Sequence, residues 1–242
     1  MFAQSAGYDR ALTIFSPDGR LYQVEYAIET VKRGTIAVGI KVKEGVVLAV
    51  EERIKKLQDQ EMSIKIFQVD DHIGITAAGY VPDARILVDN ARQLAQNNRL
   101  LYDEQVEVET VARKLADMAQ QYTQYGGVRP FGVSLIIAGV DGGSPSVYTT
   151  DPSGTYLSYS AIAIGGGSDQ ANEFLEANYN EGDSLDKAVD LALKCITKAS
   201  EGKVDPNSVK VAIIDVKSRM MKRLSKEDLT QRMNGLAQSP SS

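Results

Sequence analysis

Residues 35–52 read TIAVGIKVKEGVVLAVEE. Two apolar, β-branched runs, TIAVGIKV (35–42) and VVLAVEE (46–52), flank Lys43-Glu44-Gly45. Strand-forming runs joined by a short turn with glycine predict a hairpin. The first run opens on Gly34-Thr35, and this raises a chemical question. Cleavage between those residues would leave a threonine whose free amine activates its own hydroxyl, one known route to a nucleophile.

Downstream the strand pairs recur. IKIFQV (64–69) and IGITAAG (73–79) flank Asp70-Asp71-His72. One helix is predicted from Pro82 to about Asn97, with Ile86, Leu87, Ala91 and Leu94 on one face. A second covers about 106–124 with Val108, Val111, Leu115, Met118 and Ala119 as its stripe, and Gly126-Gly127 stop it. Strands GVSLIIAGV (132–140), SVYTT (146–150), TYLSY (155–159) and AIAIG (161–165) come next. Another helix pair follows over about 168–179 and 184–199, with Ser168 and Ser184 placed as N-caps. VKVAIIDV (209–216) and MMKRL (220–224) close the strands, and a last helix begins at Ser225 with Asp228 at capping-box spacing.

SLIIAGV, VAIID and AIAIG are apolar on both faces, so each must be covered on both sides. Hairpin-joined strands of this kind with two helix pairs predict two packed antiparallel sheets flanked by helices, a four-layer αββα sandwich. The division expected is an N-terminal segment with turn and helix over 1–34, the sandwich over 35–235 and a flexible tail over 236–242. Upstream, Ser16-Pro17-Asp18-Gly19 is a turn: proline fixes φ and glycine tolerates the reversal. A helix follows, with Leu21, Val24, Ile28 and Val31 as its stripe, Lys32 and Arg33 suiting its C-terminal dipole, and Gly34 as its C′ residue. The open end of the sandwich is the nearest surface on which it can bury that stripe.

Composition narrows the function classes. The 242 residues carry a net charge of −5, which argues against general nucleic-acid binding. MFAQSAGYDR (1–10) has no apolar signal-peptide core, and the longest apolar stretches are too short to span a bilayer. A soluble cytoplasmic chain is expected, with no membrane partner. One cysteine and one histidine are too few for a Cys/His zinc cluster or an internal disulfide, so neither metal nor cofactor is expected. Cys195 aligns with the apolar face of its helix and reads as a small buried hydrophobe. His72 reads as part of a polar turn. GGGSDQANEFLE (165–176) lacks the Lys-Ser/Thr of a phosphate-binding loop and reads as a tight strand-to-helix turn.

YDRALTIFSPDGRLYQVEYA (8–27) resembles the signature segment of proteasome α subunits, with Thr13, Phe15-Ser16-Pro17, Gly19-Arg20 and Gln23–Ala27 at matching spacing. YTQYGGVRPFGVSLIIAG (122–139), GYVPDAR (79–85), DPSG (151–154) and AIGGGSDQA (163–171) extend the likeness to nearly the whole chain, which looks closest to archaeal members. Thr30 departs from it, since a smaller residue is usual there. The resemblance implies an N-terminal nucleophile hydrolase-like sandwich and a heptameric α ring, of one or several chain types, capping catalytic β subunits. Such a ring gates entry of unfolded polypeptide and docks a regulatory AAA ATPase.

Several residue roles follow from the resemblance. Tyr8, Asp9, Pro17 and Tyr26 match a cluster between adjacent subunits that holds the gate open. Lys65, matched by the I-x-x-V-D-D after it, corresponds to a lysine that receives the ATPase C-terminal carboxylate; its alternative is an ordinary exposed strand lysine. Gly34 and Leu21 line the same pocket. Arg129 and Arg10 are possible ion-pair formers at ring interfaces. MFAQSAG (1–7), with little to bury, is expected to stay mobile as the gate. In the related β subunits a processed threonine heads this strand, supported by an acid and a lysine; Thr35, Glu51 or Glu52, and Lys65 fall near those places. The alternative is therefore an autoprocessed threonine hydrolase. Three features weigh against it: the α-type extension, a helix standing where substrate must enter, and an amide nitrogen on Thr35 that cannot act as a base.

Overall fold

The computed structural model describes residues 13–55, 57–58, 63–200 and 204–238. The quoted stretch forms its hairpin. β1 (Ala37–Val42) pairs antiparallel with β2 (Gly45–Glu51), from Ala37 opposite Val50 to Val42 opposite Gly45. Next come β3 (Ile66–Asp70), β4 (Ile73–Gly79), β5 (Val133–Asp141), β6 (Ser144–Thr150), β7 (Tyr156–Ser158) and β8 (Ala161–Ile164). β9 (Val209–Asp215) and β10 (Met221–Arg223) complete the set. One sheet has the order β10-β9-β2-β1-β8 and the other β3-β4-β5-β6-β7, with every pairing antiparallel.

Period-two alternation divides each central strand between two cores. From β5, Ile136, Ala138 and Val140 point between the sheets, where they meet Leu48 and Val50 of β2. Leu135 and Ile137 point the other way, under the helix pair α2 (Val81–Tyr102) and α3 (Val108–Gln121). On the far side, Val38 and Ile40 of β1 pack beneath α4 (Ser168–Asn178) and α5 (Leu185–Ala199). α6 (Lys226–Gln238) adds Leu229 to that layer. The four-layer αββα order is therefore present. Gly39 shows how closely the sheets approach, since a Cβ there would lie 2.6 Å from the Ile136 side chain. That glycine is required by space, not by conformation.

The helix before the sandwich, α1 (Tyr22–Lys32), buries Val24, Ala27 and Val31. The predicted stripe is rotated: Ala27 enters it, Ile28 is only half-buried and Leu21 is the residue before the first turn. α1 sits at one end of the sandwich, on β4 and β5. A Cβ on Gly34 would lie 2.4 Å from the Gly79 nitrogen, and one on Gly79 would lie 2.4 Å from the Gly132 carbonyl oxygen. Gly34 is thus glycine because the chain passes Gly79 closely, and not because it adopts a left-handed C′ conformation.

Other boundaries shift for local reasons. α2 runs to Tyr102 and stops at Asp103, which is left-handed at φ 54°. Ile86, assigned to its apolar face, is exposed, while Ala84, Val88 and Ala95 are buried. Gly167, left-handed at φ 75°, holds the N-cap position assigned to Ser168. Ser184 does cap α5, accepting from the Lys187 amide, and Ser225 accepts from the Asp228 amide at the start of α6. Cys195 is fully buried beneath α4, and burial pushes its thiol pKa up to about 12. His72 is not a solvated turn residue. It is fully buried, with Nε2 2.8 Å from the Val106 carbonyl and Nδ1 3.5 Å from the Asp70 carboxylate.

Candidate functional site

Thr35 lies just before β1, between the end of α1 and the first strand. Its hydroxyl donates to the Glu51 carbonyl at 2.6 Å and receives a bond from Lys65 Nζ at 2.8 Å. A peptide carbonyl accepts a hydrogen bond but is far too weak a base to take the proton. Neither candidate carboxylate bonds to the hydroxyl or to Lys65 Nζ. The Glu51 side chain accepts from Ser200 Oγ at 2.8 Å. Glu52 is buried and accepts from the amides of Ile64 and Lys65, both at 3.1 Å, and from Ser63 Oγ. The carboxylates therefore hold the approach to β3 and the start of the α5 exit, while Thr35 shares only backbone and Lys65.

Lys65 departs from the ordinary fate of a strand lysine, being only 3% exposed. Its Nζ lies 2.8 Å from the Thr35 carbonyl, 3.1 Å from that of Ile36 and 3.2 Å from that of Glu51, besides the Thr35 hydroxyl. These bonds tie the start of β1 to the end of β2. Burial pushes the Lys65 pKa from 10.5 down to about 7, opposed by the nearby Glu52 and Glu51. The sign for stability follows from proton counts. Between about 7 and 10.5 the unfolded chain binds a proton that the folded chain has released, so stability rises with pH in that window. Unfolding curves from near-neutral to alkaline pH are expected to show this chain gaining stability relative to Lys65→Met. Parallel pH dependences would contradict the shift.

Lys65 forms the inner wall of a cleft of about 310 Å³ where α1, β4 and α2 converge. Gly34 lines it, as do Thr30, Arg33, Arg53 and Tyr80. Two of the three predicted pocket residues, Lys65 and Gly34, are thus brought together. Leu21, at the opposite end of α1, is half-buried and not among the lining residues. Of the predicted gate cluster, Pro17 is exposed in its turn and Tyr26 is half-exposed on α1; Tyr8 and Asp9 lie outside the described residues, as does Arg10. Arg129 pairs within the chain, donating to both Asp83 oxygens at 2.6 and 2.8 Å. Asp83 also accepts from the Gly132 amide, which fixes the start of α2 against β5.

Two amides of the glycine-rich turn are engaged. Gly166 donates to the Gly34 carbonyl at 2.7 Å and Ser168 to that of Gly165 at 3.2 Å. Among the described residues, no group of three or more His, Cys, Asp and Glu side chains is placed to hold a metal ion. No helix among them is long and apolar enough to cross a membrane. Arg33 and Arg53 are among the cleft residues that sequence reasoning missed, as are Thr30 and Tyr80. The helix dipole accounts for Arg33 in sequence, and Arg53 belongs to no motif.

The family model described as proteasome subunit matches residues 31–214, and the model for the N-terminal signature of A-type proteasome subunits matches residues 8–29. The proteasome subunit alpha of Methanothermobacter thermautotrophicus is 49% identical over 234 residues, covering 96% of this chain and 94% of the relative. That of Methanosarcina mazei is 51% identical over 228 residues, covering 94% and 92%. Proteasome subunit alpha 2 of Haloarcula marismortui is 46% identical over 231 residues, covering 95% of each. The N-terminal match lies wholly ahead of Thr35, which favours the α-type reading over a β-type hydrolase that discards this segment.

Proposed function

The chain belongs to the proteasome subunit family and is of its α type, and on that premise we propose that it serves as the non-catalytic subunit of an outer ring. The observation that carries this reading is the match of the A-type N-terminal signature to residues 8–29, ahead of Thr35. With that segment attached, the Thr35 nitrogen is an amide and its hydroxyl donates to the Glu51 carbonyl. Lys65, which in a β-type site would assist the nucleophile, here divides its bonds between the Thr35 hydroxyl and the carbonyls of Thr35, Ile36 and Glu51. The chain forms a heptameric ring stacked on β subunits, in the cytoplasm, and contributes no peptide-bond chemistry of its own.

Two further roles belong to the same proposal. The cleft at Lys65 and Gly34, extended towards Leu21, receives the C-terminal carboxylate of a regulatory AAA ATPase. The segment ahead of α1 gates the pore, with Tyr8, Asp9, Pro17 and Tyr26 holding the open arrangement between neighbouring subunits. The small and polar composition of residues 1–7 and the anionic partner that a cationic cleft selects support these assignments.

The test of the non-catalytic role is Thr35→Ala in a particle reconstituted with active β subunits. Short-peptide hydrolysis is expected to be nearly unchanged. The chain itself loses about 1 kcal/mol of stability with the bond to the Glu51 carbonyl. Abolished hydrolysis in a correctly assembled particle would overturn the reading.

A further inference from the structure

The last helix carries the chain's single Asn-Gly pair, Asn234-Gly235. α6 is held to the sandwich mainly by its first half. Leu229 is buried in the core, and Arg232 donates to Asp190 at 3.0 Å and also to Asp186. Past Arg232 the hold weakens, since Met233 and Leu236 pack against that core only partly. Asn234 and Gly235 are both exposed. A Cβ on Gly235 would meet nothing within 4 Å, so packing does not require a glycine there. Glycine inside a helix weakens it relative to alanine. The last turn also lacks a basic residue to complement the helix dipole. A helix end with few buried contacts opens at small free-energy cost.

We infer that Asn234-Gly235 is a site of covalent modification in the folded chain: deamidation of Asn234 through a cyclic imide, reached when the last turn of α6 opens. While helical, the Gly235 amide is directed at the carbonyl four residues earlier and cannot meet the Asn234 side chain. Once the turn opens, glycine sets no Cβ against the closing ring. The Gly235 nitrogen, its proton lost to hydroxide, attacks the Asn234 carboxamide carbon. A carbon–nitrogen bond forms to close the imide, the bond to the side-chain nitrogen breaks, and ammonia leaves with a proton from water. A second water opens the imide at either carbonyl. One opening gives aspartate, the other isoaspartate with an added methylene in the main chain. Either product places a negative charge near the C-terminal end of a helix, where the dipole disfavours it. Isoaspartate also breaks the helical hydrogen-bond register. The product turn therefore stays open, and the mark accumulates with the age of the chain.

The test incubates the full-length chain, in the assembled form in which it purifies, at mildly alkaline pH beside the same chain unfolded in guanidinium chloride. Peptide mapping by mass and an isoaspartate assay follow Asn234 in both. The folded chain is expected to react at no less than about one-hundredth of the unfolded rate, that ratio being the fraction of time the turn is open. Both isoaspartate and aspartate should appear. Gly235→Ala should slow the folded reaction at least about tenfold, because a Cβ hinders ring closure and firms the helix. Leu236→Ala removes the apolar hold on the last turn, and should speed the folded reaction several-fold while leaving the unfolded rate unchanged. A folded rate below one-hundredth of the unfolded one would overturn the inference. So would a Leu236→Ala chain that reacts no faster, or aspartate formed without isoaspartate, which is the product of direct hydrolysis.

Discussion

Deleting Met1–Ala6 is expected to accelerate degradation of unfolded proteins far more than hydrolysis of tri- or tetrapeptides. The removed segment, MFAQSA, offers one large apolar side chain beyond its methionine and otherwise small or polar residues, too little to build a packed plug. In the heptameric ring proposed above, seven such segments would exclude a polypeptide by crowding while small peptides pass. A gate open about one part in a hundred limits polypeptide entry to that fraction, so its removal raises the rate by up to roughly a hundredfold. Peptide entry is not limited in this way and changes little. The measurement is the rate for an unfolded protein against that for a fluorogenic tripeptide, in intact and truncated particles. Equal unfolded-protein rates would show that residues 1–6 are not the gate.

The second large effect concerns Lys65. Changing it to alanine in every protomer is expected to cut ATPase-stimulated degradation steeply while unstimulated short-peptide hydrolysis persists. A regulator opens a gate only through differential binding to the open state, and a shift from 1:99 to 99:1 needs about 5.5 kcal/mol. In the proposed heptameric ring, seven pockets contributing about 1 kcal/mol each would be sufficient, so a modest loss at each would be multiplied around the ring. The alanine also leaves three backbone carbonyls and the Thr35 hydroxyl without their shared donor. Native mass is therefore needed to show that rings remain assembled. Combining Lys65→Ala with the Met1–Ala6 deletion separates docking from gating. The double variant should regain degradation of an already unfolded substrate, because no docking is needed to open the pore. It should not regain degradation of a folded one, which still requires the ATPase. A Lys65→Ala particle with an intact gate that binds and responds to the ATPase normally would show the pocket assignment to be wrong.

The sandwich is legible in the sequence because its central strands are apolar on both faces, a pattern that demands cover on both sides. The two helix layers follow once the helix pairs are recognised, but the strand order does not, because β1 pairs with β8 and β2 with β9, neighbours that no hairpin joins. The end of α2 is not legible, because Leu100, Leu101 and Tyr102 are 82%, 73% and 68% exposed and continue no stripe. Helical residues left mostly exposed leave no periodic signal. His72 misleads for a related reason: its burial depends on the carbonyl of Val106, which lies 34 positions away. Lys65 shows the same limit at the site. A lysine bound by a hydroxyl and three carbonyls has partners whose backbone atoms every residue possesses, so sequence shows no sign of its burial. The family resemblance draws attention to Lys65 and Gly34, which line one cleft. It does not point to Arg33 and Arg53, which line the same cleft.

All of these expectations rest on Thr35 being an internal residue at the head of a strand. The direct measurement is the N-terminal mass of the chain isolated from particles assembled with active β subunits. The predicted result is a single species that retains residues 8–34 ahead of Thr35, with the signature segment and α1 intact. A mature chain beginning at Thr35 would contradict the account, because cleavage there would free the amine that the nucleophile requires.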